Sequence, residues 1–324
     1  GGYLTEAETP ENNYRDVATA LGELQRSTGK PILLHSIYAQ QDRDSYDALR
    51  DAGIPLFGSL EHAAVAYSAL ADRASIGARG PLPIEYPDDD DSELVAQIAR
   101  NDGRTVLLEP EAMLLLAMHM RPYPYFRHVM TSDQARTFAH KRRRPIALKL
   151  VSDVILHKSD VGGVKLNLMT EDDAERSFEE LQAVALAQGV PFRGALAVDM
   201  AAPGIDVALG MAHSELGGHV MLFGSGGTDI EVLDDVSVRP APIDRDDARA
   251  MVSETLAGRL LANPRGMKLP SLEPLYVLMV RISIAIAGSE YIQELDLNPV
   301  RVTRRGAIVL DARVVLTDAD PTDG

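Results

Sequence analysis

Lys149, His157 and a group of acidic residues near the C-terminus have the types and spacing that phosphate and metal-ion chemistry requires. Lys149 lies in the strand-like segment IALKL, with apolar residues on both sides. A lysine in such a segment needs either an anion or a route to water for its ammonium group. The pattern therefore predicts a phosphate-binding lysine or, alternatively, an edge-strand lysine that reaches solvent.

The loop at 157–163, with the sequence HKSDVGG, joins two predicted strands. It combines an imidazole, a cation, a hydroxyl and two glycines, and the backbone N–H groups of such loops can bind phosphate. Its histidine, His157, is a candidate nucleophile because a neutral imidazole can carry a phosphoryl group near pH 7. A polar surface turn is the alternative. The GSGG turn at 224–227 is weak support alone, since a bend at a strand end also needs glycine.

The segments at 291–303 and 306–316 predict a β-hairpin with a two-residue turn at Arg304 and Arg305. This register gives three opposed pairs: Leu297 with Ala312, Asn298 with Asp311, and Asp296 with Arg313. Residues two apart share a face, so Asp296, Asn298 and Asp311 are expected to cluster. Two carboxylates and an amide oxygen suit Mg²⁺ that carries phosphates. The alternative is a surface hairpin with a salt bridge between the last pair.

The elements that must position these residues begin with alternating helices and strands. Helices are predicted to end at Gly29 and Gly53, strands are predicted at 31–36 and 54–57, and an Ala-rich helix at 61–73. Such alternation predicts parallel strands covered by helices. Because two strands are too few for a stable sheet, residues 1–75 are expected to be the C-terminal part of a doubly wound parallel-sheet domain. An unusually small domain is the alternative.

Residues 76–93 have the composition of a linker, and their aspartate run at 88–91 is interpreted as a solvated stretch. From 94 to 318 the pattern is α+β and contains all the motifs above, and residues 319–324 form a tail. Helices are predicted at 109–119, 133–141, 245–260 and 272–287, and strands at 146–151, 164–168, 195–200, 207–211, 220–223 and 230–233. Thr170 and Asp173 predict a capping box that begins a further helix. The basic run at 141–144 is interpreted as the structural end of a helix.

Composition excludes several classes of function. The chain has 324 residues, of which 45% are hydrophobic and 25% charged, and at about 150 residues per domain this predicts two globular domains. A net charge of −16 argues against a nucleic-acid partner. The absence of cysteine excludes disulfides and thiolate chemistry and fits a reducing, cytoplasmic location. The longest apolar stretch is too short to span a bilayer, so no membrane partner is expected.

Three segments, in this order, resemble one known family: ALKLVSDVILHKSDVGGVKL, VMLFGSGGTDIEVLDDVSVRPAP and ELDLNPVRVTRRGAIVLDARVVL. They are similar to the ATP-grasp part of NDP-forming acyl-CoA synthetases, the relatives of ADP-forming acetate–CoA ligase. The resemblance covers about residues 100–316 and implies an α/β protein with an α+β ATP-grasp domain. GKPILLHS and DAGIPLFGSLEHAA resemble the end of the family's succinyl-CoA-ligase-type flavodoxin-like domain.

The resemblance implies that ATP, a carboxylate and CoA interconvert with acyl-CoA, ADP and phosphate, through an acyl phosphate and a phosphohistidine. Lys149 would then hold nucleotide phosphates, and His157 would relay the phosphoryl group. The implied Mg²⁺ ligands are Asp296, Asn298 and Asp311. The implied nucleotide contacts are Asp199, Met200 and Asp206 at the adenine hinge and ribose, and Gly226, Gly227 and Glu231 at the phosphate end.

The sequence departs from the family pattern in several places. Asp206 stands where the family commonly has Glu, and Asp234 stands where Lys is frequent. Neither a second histidine motif nor the CoA-binding domain is visible. CoA and the carboxylic acid are therefore expected to bind through upstream domains, and the chain to form a homo-oligomer or to associate with a CoA-binding domain or subunit. The alternative function is a regulatory ATP-grasp module that binds ligand without turnover, as in an acetyltransferase fusion.

Overall fold

The chain divides into two compact units, Gly1–Pro83 and Ile84–Gly324, in the computed structural model. The structure describes residues 13–37, 43–78, 86, 89–119, 124–155, 158–214, 217–227, 235–262 and 271–318. His157 and Glu231 lie outside these ranges, as does the strand predicted at 230–233. The two units are considered separately below.

The first unit alternates helices with two short strands, as predicted. Its elements are α1 (Asn13–Thr28), β1 (Leu34–His35), α2 (Arg43–Asp51), β2 (Leu56–Phe57) and α3 (Leu60–Ala78). β1 and β2 pair in parallel, with Leu34 opposite Leu56. Gly29 and Gly53 follow the first two helices with φ values of 65° and 78°, a left-handed conformation that favours glycine. α3 continues beyond its predicted end at 73, since no proline interrupts it. Assignment to a flavodoxin-like domain stays a prediction.

The second unit contains two antiparallel sheets among its described strands. Its helices are α4 (Asp90–Asn101), α5 (Glu109–His119), α6 (Ser132–Arg142), α7 (Glu171–Ala187), α8 (Arg245–Glu254), α9 (Leu256–Ala262) and α10 (Glu273–Ala287). Its strands are β3 (Phe126–Val129), β4 (Ile146–Leu150), β5 (Val164–Leu168), β6 (Ala195–Asp199), β7 (Ile205–His213), β8 (His219–Ser225), β9 (Val236–Pro240), β10 (Ile292–Thr303), β11 (Gly306–Val309) and β12 (Arg313–Leu316). Within the described ranges, no helix combines the length and apolar character that crossing a lipid bilayer requires.

The smaller sheet has the order β3-β6-β4-β5, and the larger has the order β11-β10-β7-β8-β9 with β12 also paired to β10. α6 and α7 cover the smaller sheet, where Phe138, Leu148 and Leu181 belong to one buried cluster. The predicted capping box at the start of α7 is confirmed: the Thr170 side chain accepts from the Asp173 backbone, and the reverse bond is also present. The other helices of this unit pack their apolar faces in a second core with the larger sheet. Two hydrophobic layers therefore hold the two sheets separately.

Two predicted boundaries are wrong. The predicted linker at 76–93 contains the start of α4, whose first turn includes Asp90 and Asp91. Acidic side chains in a first turn stabilise a helix through its dipole, so part of the aspartate run begins a helix. The helix predicted at 245–260 is broken at Thr255, where the backbone is extended. There the Asp235 carboxylate accepts from the N–H groups of Leu256 and Ala257 and starts α9 anew.

The predicted register of the C-terminal hairpin is confirmed over most of its length. Val300 pairs with Val309 and Asp296 pairs with Arg313. Regular ladder pairing is interrupted at residues 310–312, between β11 and β12, where the Leu310 N–H still donates to the Pro299 carbonyl at 2.9 Å, so Asp311 is not a ladder partner of Asn298. The interruption lies opposite Pro299, which has no N–H to donate to a neighbouring strand. This short irregular segment carries Asp311 out of the sheet.

His219 is a buried titratable residue of the larger sheet, and its burial affects how the stability of the fold depends on pH. Its ring is buried, and its Nε2–H donates to the Ile292 carbonyl at 3.0 Å. Burial lowers the pKa of His219 despite that hydrogen bond, and His213 lowers it further. The folded state therefore resists protonation, so the stabilising contribution is intact above the unfolded pKa of about 6.5 and declines as pH falls below it.

We expect the stability of the wild-type chain relative to His219→Gln to fall by at most about 1.4 kcal/mol per pH unit below pH 6.5, because a single proton is involved. Glutamine keeps an N–H donor for the Ile292 carbonyl but does not titrate. Denaturant unfolding at a series of pH values measures this difference, with His62→Gln, at an exposed histidine, as the control. A difference that is constant with pH would contradict the prediction.

Candidate functional site

A polar cleft with a volume of about 570 Å³ lies in the second unit, lined by segments that belong to both sheets. The residues that line it include Glu109 at the start of α5, Asp153 and Lys158 in the loop after β4, Gly227 after β8, and Asp296, Asn298, Asp311 and Arg313 from the β10–β12 hairpin. The fold thus brings the three predicted Mg²⁺ ligands and one glycine of the GSGG turn to a single cleft. Lys149 reaches the same place from β4 through its contacts with Glu109 and Asp311.

Two lysines converge on one buried carboxylate at the cleft. Lys149 Nζ donates to Glu109 Oε1 at 2.7 Å, and Lys158 Nζ donates to Glu109 Oε2 at 2.6 Å. Lys149 Nζ also donates to the Leu310 carbonyl. Glu109 is only 2% exposed, and both lysines are buried. The anion that Lys149 contacts in this structure is therefore a protein carboxylate, and its binding of nucleotide phosphate stays a prediction.

The charges of this group support one another. Burial alone would raise the pKa of Glu109, but attraction to the ammonium groups of Lys149 and Lys158 outweighs burial and lowers the pKa to about 2. Burial likewise opposes the charge on Lys149, yet Glu109 and then Asp311 raise its pKa. Glu109 and Lys149 are therefore ionised at neutral pH, and the three central groups depend on one another because an unpaired buried charge is costly.

Asp311 lies next to the same lysines but in a different electrostatic environment. Its carboxylate oxygens are 3.8 Å from Lys149 Nζ and 3.9 Å from Lys158 Nζ, too far for direct hydrogen bonds. Burial and the like charge of Glu109 raise the pKa of Asp311 to about 6, against the attraction of the two lysines. The negative charge of Asp311 is therefore incompletely balanced by the protein.

Asp296 has a similar surplus of negative charge. Arg313 is its ladder partner, as predicted, but the guanidinium donates to Glu294 Oε1 at 2.8 Å. The Asp296–Arg313 salt bridge considered from the sequence is therefore replaced by an Arg313–Glu294 pair. Burial raises the pKa of Asp296, and Glu294 raises it further, although Arg313 lowers it.

Asn298 connects the hairpin to the glycine turn that follows β8. Its Oδ1 accepts from the Gly227 N–H at 2.8 Å, and its Nδ2 donates to the Gly227 carbonyl at 3.4 Å. Gly227 has a φ of 88°, which favours glycine. A Cβ at Gly226 would lie 2.6 Å from the backbone of Val207, so close packing alone requires glycine there. Part of the GSGG signal is thus structural.

The donor set at the hairpin fits a hard divalent cation. Asp296 and Asp311 supply carboxylates whose pKa values are raised by burial and then by a neighbouring carboxylate, and Asn298 supplies an amide oxygen with a second lone pair. No group of three or more His, Cys, Asp or Glu that could hold a metal occurs among the residues that the structure describes. The predicted set has only two acidic members, so completion of a Mg²⁺ shell would require phosphate oxygens or water.

Asp199 and Asp206, which are predicted to contact the adenine and the ribose, each accept hydrogen bonds from an arginine. Arg142 Nε donates to Asp199 Oδ1 at 2.6 Å, and Arg142 also lies 4.2 Å from the Tyr125 ring centroid. The Asp206 carboxylate accepts two bonds from Arg301, both at 2.7 Å. A ribose hydroxyl at Asp206 would have to share that carboxylate with Arg301.

The Met200 N–H, at the predicted adenine hinge, donates to the Pro145 carbonyl at 3.1 Å. None of Asp199, Met200 and Asp206 lines the cleft. Gly226 links one of them to the GSGG turn, because its N–H donates to the Asp206 carbonyl at 3.2 Å.

The loop that carries His157 is anchored on both sides of that residue. Before it, the Ser152 hydroxyl accepts from two backbone N–H groups, and Asp153 accepts from Arg193 Nε at 3.1 Å. After it, Lys158 is bound to Glu109, and the Gly163 N–H donates to the Lys158 carbonyl at 2.7 Å. His157 lies outside the described residues, but both Ile155 and Lys158 line the cleft.

Sequence reasoning missed the roles of Glu109 and Lys158. Glu109 opens a helix whose start was predicted correctly, but nothing in the spacing of a first-turn glutamate points to a lysine 40 positions away. The sequence presents Lys158 only as a cation beside His157. A signal did exist for Lys149, because a lysine in apolar surroundings requires an anion or a route to water.

A family model described as an ATP-grasp domain matches residues 98–316. The protein class that the fold and site define is therefore an ATP-grasp protein. A beta subunit of ADP-forming acetate–CoA ligase II from Pyrococcus furiosus is 36% identical over 219 residues, which cover 66% of this chain and 93% of the relative. ADP-forming acetate–CoA ligase I from Archaeoglobus fulgidus is 35% identical over 280 residues, 84% of this chain, but the match spans only 40% of that relative.

Solved structures agree with these relatives. An acetyl-coenzyme A synthetase 1 chain from Ca. Korarchaeum cryptofilum, in complex with coenzyme A and Ca-AMPCP, has a TM-score of 0.66 and 33% identity, covering 71% of this chain and all of that chain. Another structure of that synthetase, with Mg-AMPPCP, has a TM-score of 0.61. The chain belongs to the family of ADP-forming acetate–CoA ligases, as its ATP-grasp part. These relatives match the ligase interpretation and not the regulatory one.

We expect Asp311→Asn to remove most of the gain in ADP affinity that Mg²⁺ provides, roughly tenfold or more, because a carboxylate ligand loses its charge. Asp296→Asn should have a smaller effect, since Asp311 lies closer to the two lysines. Calorimetric titration of ADP with and without Mg²⁺ measures both variants, and Asp160→Asn, elsewhere in the cleft, is the matched control. An unchanged Mg²⁺ dependence in Asp311→Asn would show that Asp311 is not a ligand.

The melting temperature of Asp311→Asn should be no lower than that of the wild-type chain. The raised pKa of Asp311 means that the folded protein holds the ionised carboxylate unfavourably, so the neutral amide removes a cost. A large drop in melting temperature would instead indicate a structural salt bridge.

Proposed function

We propose that this chain is the nucleotide-binding part of an ADP-forming acyl-CoA synthetase, and that its cleft passes a phosphoryl group between ATP and His157. The observation that carries the proposal is the convergence of Lys149 and Lys158 on Glu109, beside Asp311 and next in sequence to His157. Two ammonium groups at one point favour the oxygens of a phosphoryl group.

The groups of the chain have distinct tasks in this reaction. A ring nitrogen of His157 attacks the γ-phosphorus of ATP, the bond to the bridging oxygen breaks, and ADP leaves with that oxygen and the electron pair. Lys149 and Lys158 stabilise the charge of the transferred group. Asp296, Asn298 and Asp311 hold Mg²⁺, which supplies Lewis-acid neutralisation of the phosphate oxygens when it is bound.

The remaining nucleotide contacts are proposed by resemblance, with different degrees of geometric support. Gly227 lines the cleft and is held by Asn298, so its neighbourhood is suited to the phosphate end of the nucleotide. Gly226 and Glu231 are assigned to the same end. Asp199 and Met200 would bind the adenine at the end of β6, and Asp206 the ribose together with its partner Arg301.

The whole reaction requires groups from outside this segment. The Pyrococcus furiosus relative is named as a beta subunit, and the match spans 40% of the Archaeoglobus fulgidus relative. These observations support binding of CoA and the carboxylic acid by other domains or a second subunit, in a homo-oligomer or in a complex with a CoA-binding partner. The absence of cysteine supports a cytoplasmic location.

We expect residues 1–324 alone to bind ATP with Mg²⁺ but to make no acyl-CoA, because the groups for CoA and the acid lie elsewhere. Calorimetry measures nucleotide binding, and a thioester-formation assay with ATP, acetate and CoA measures turnover. Thioester formation that depends on all three substrates would overturn this expectation.

We expect γ-labelled ATP to phosphorylate His157, and His157→Ala to abolish the label while changing ADP affinity by no more than about threefold, because the imidazole is a nucleophile rather than a nucleotide ligand. Acid-labile, base-stable radiolabel identifies phosphohistidine. His140→Ala is the matched control, since that histidine is exposed and does not line the cleft. Label that persists in His157→Ala would exclude His157 as the acceptor.

A further inference from the structure

Glu109 connects three parts of the second unit through one side chain. It is the first residue of α5, Lys149 comes from the buried strand β4, and Lys158 comes from the loop that carries His157. Each carboxylate oxygen of Glu109 binds a different lysine, at 2.7 and 2.6 Å. Glu109 lines the cleft, but each of its oxygens is already bound by a protein ammonium group.

The segment that presents Glu109 is itself rigidly held. The buried Arg104 guanidinium donates to the Val106 carbonyl at 3.1 Å and to both oxygens of Glu111 at 2.9 Å. Glu111 in turn accepts from the Leu108 N–H at 2.8 Å. These bonds close the turn immediately before α5, so the backbone at Glu109 cannot shift without breaking them.

The same segment also reaches the other side of the histidine loop. Asp102 accepts from Arg104 Nε at 2.8 Å and from Arg193 Nη1 at 2.7 Å. Arg193 Nε then donates to Asp153 at 3.1 Å. Residues 102–111 are therefore tied to the loop at Asp153, before His157, and through Glu109 at Lys158, after it.

We propose that Glu109 is a positioning residue for phosphoryl transfer, which holds the Lys149 and Lys158 ammonium groups together and fixes the loop next to His157. This inference rests on the proposed function of the cleft. Two ammonium groups that share one point repel each other, and a carboxylate between them offsets that repulsion. Glu109 thus acts through the lysines and not on the substrate.

The test is Glu109→Gln in the full chain, which keeps the shape of the side chain and removes its charge. Because a displacement of about 1 Å can cost about 100-fold in rate, we expect phosphorylation of His157 by ATP to slow by roughly 100-fold. ADP affinity should change by no more than about threefold, since both Glu109 oxygens are already bound by lysines. A purely structural role would lower both together.

Lysine reactivity provides a readout that does not depend on catalysis. Lys158 is buried and bound to Glu109, so trinitrobenzenesulfonate should modify it slowly in the wild-type chain and at least about tenfold faster in Glu109→Gln, as measured by peptide mass spectrometry. Glu180→Gln is the matched control, because it removes a carboxylate from Lys165, at 2.7 Å, in a lysine–glutamate pair outside the cleft. Glu180→Gln should leave unchanged both the rate at which ATP phosphorylates His157 and the rate at which trinitrobenzenesulfonate modifies Lys158.

Glu109→Asp covers the case in which the glutamine variant does not fold. Aspartate keeps the charge but is one methylene shorter, so it cannot bind both lysines at these distances, and a partial loss of labelling rate is expected. A rate of His157 phosphorylation in Glu109→Gln within about threefold of the wild-type rate would overturn the proposal. If ATP does not phosphorylate His157 in the wild-type chain, the proposed function fails. The reactivity of Lys158 in Glu109→Gln then decides the positioning role by itself: a rise supports that role, and no rise overturns it.

Discussion

The carboxylate of Glu109 is the point where the first turn of α5, the buried strand β4 and the loop after it meet. Its two oxygens bind Lys149 and Lys158 in a region from which water is largely excluded. Removing one member of such a group leaves an uncompensated buried charge, which costs several kcal/mol. The geometry of the cleft therefore depends on all three side chains being present.

Asp311 shows how position decides the state of a carboxyl group. It lies near the same two lysines as Glu109, yet its pKa is raised to about 6 while that of Glu109 is lowered to about 2. The difference follows from distance: Glu109 binds the ammonium groups directly, and Asp311 lies more than 3.5 Å from both. The protein thus leaves Asp311, and similarly Asp296, with negative charge that a cation can balance.

Pro299 has no N–H to donate, and this missing donor affects which groups line the cleft. Regular ladder pairing is interrupted opposite Pro299, and the irregular segment at 310–312 projects the Leu310 carbonyl to Lys149 and Asp311 into the cleft. A continuous ladder would have kept Asp311 opposite Asn298, on the face of the sheet. The hairpin therefore combines a rigid register with a local departure at the residues that matter for chemistry.

The amino-acid sequence alone determined what depends on neighbours along the chain: the hairpin register near Leu295, the capping box at Thr170 and the demand of Lys149 for an anion. These follow from a period of two in strands, from backbone capping and from the cost of burying a charge. Only the tertiary structure decided which partner meets each demand. Lys149 takes Glu109, Arg313 takes Glu294 rather than Asp296, and Asp206 takes Arg301. Several carboxylates of similar type compete for each cation, and the choice depends on distances of a few ångströms that folding alone sets.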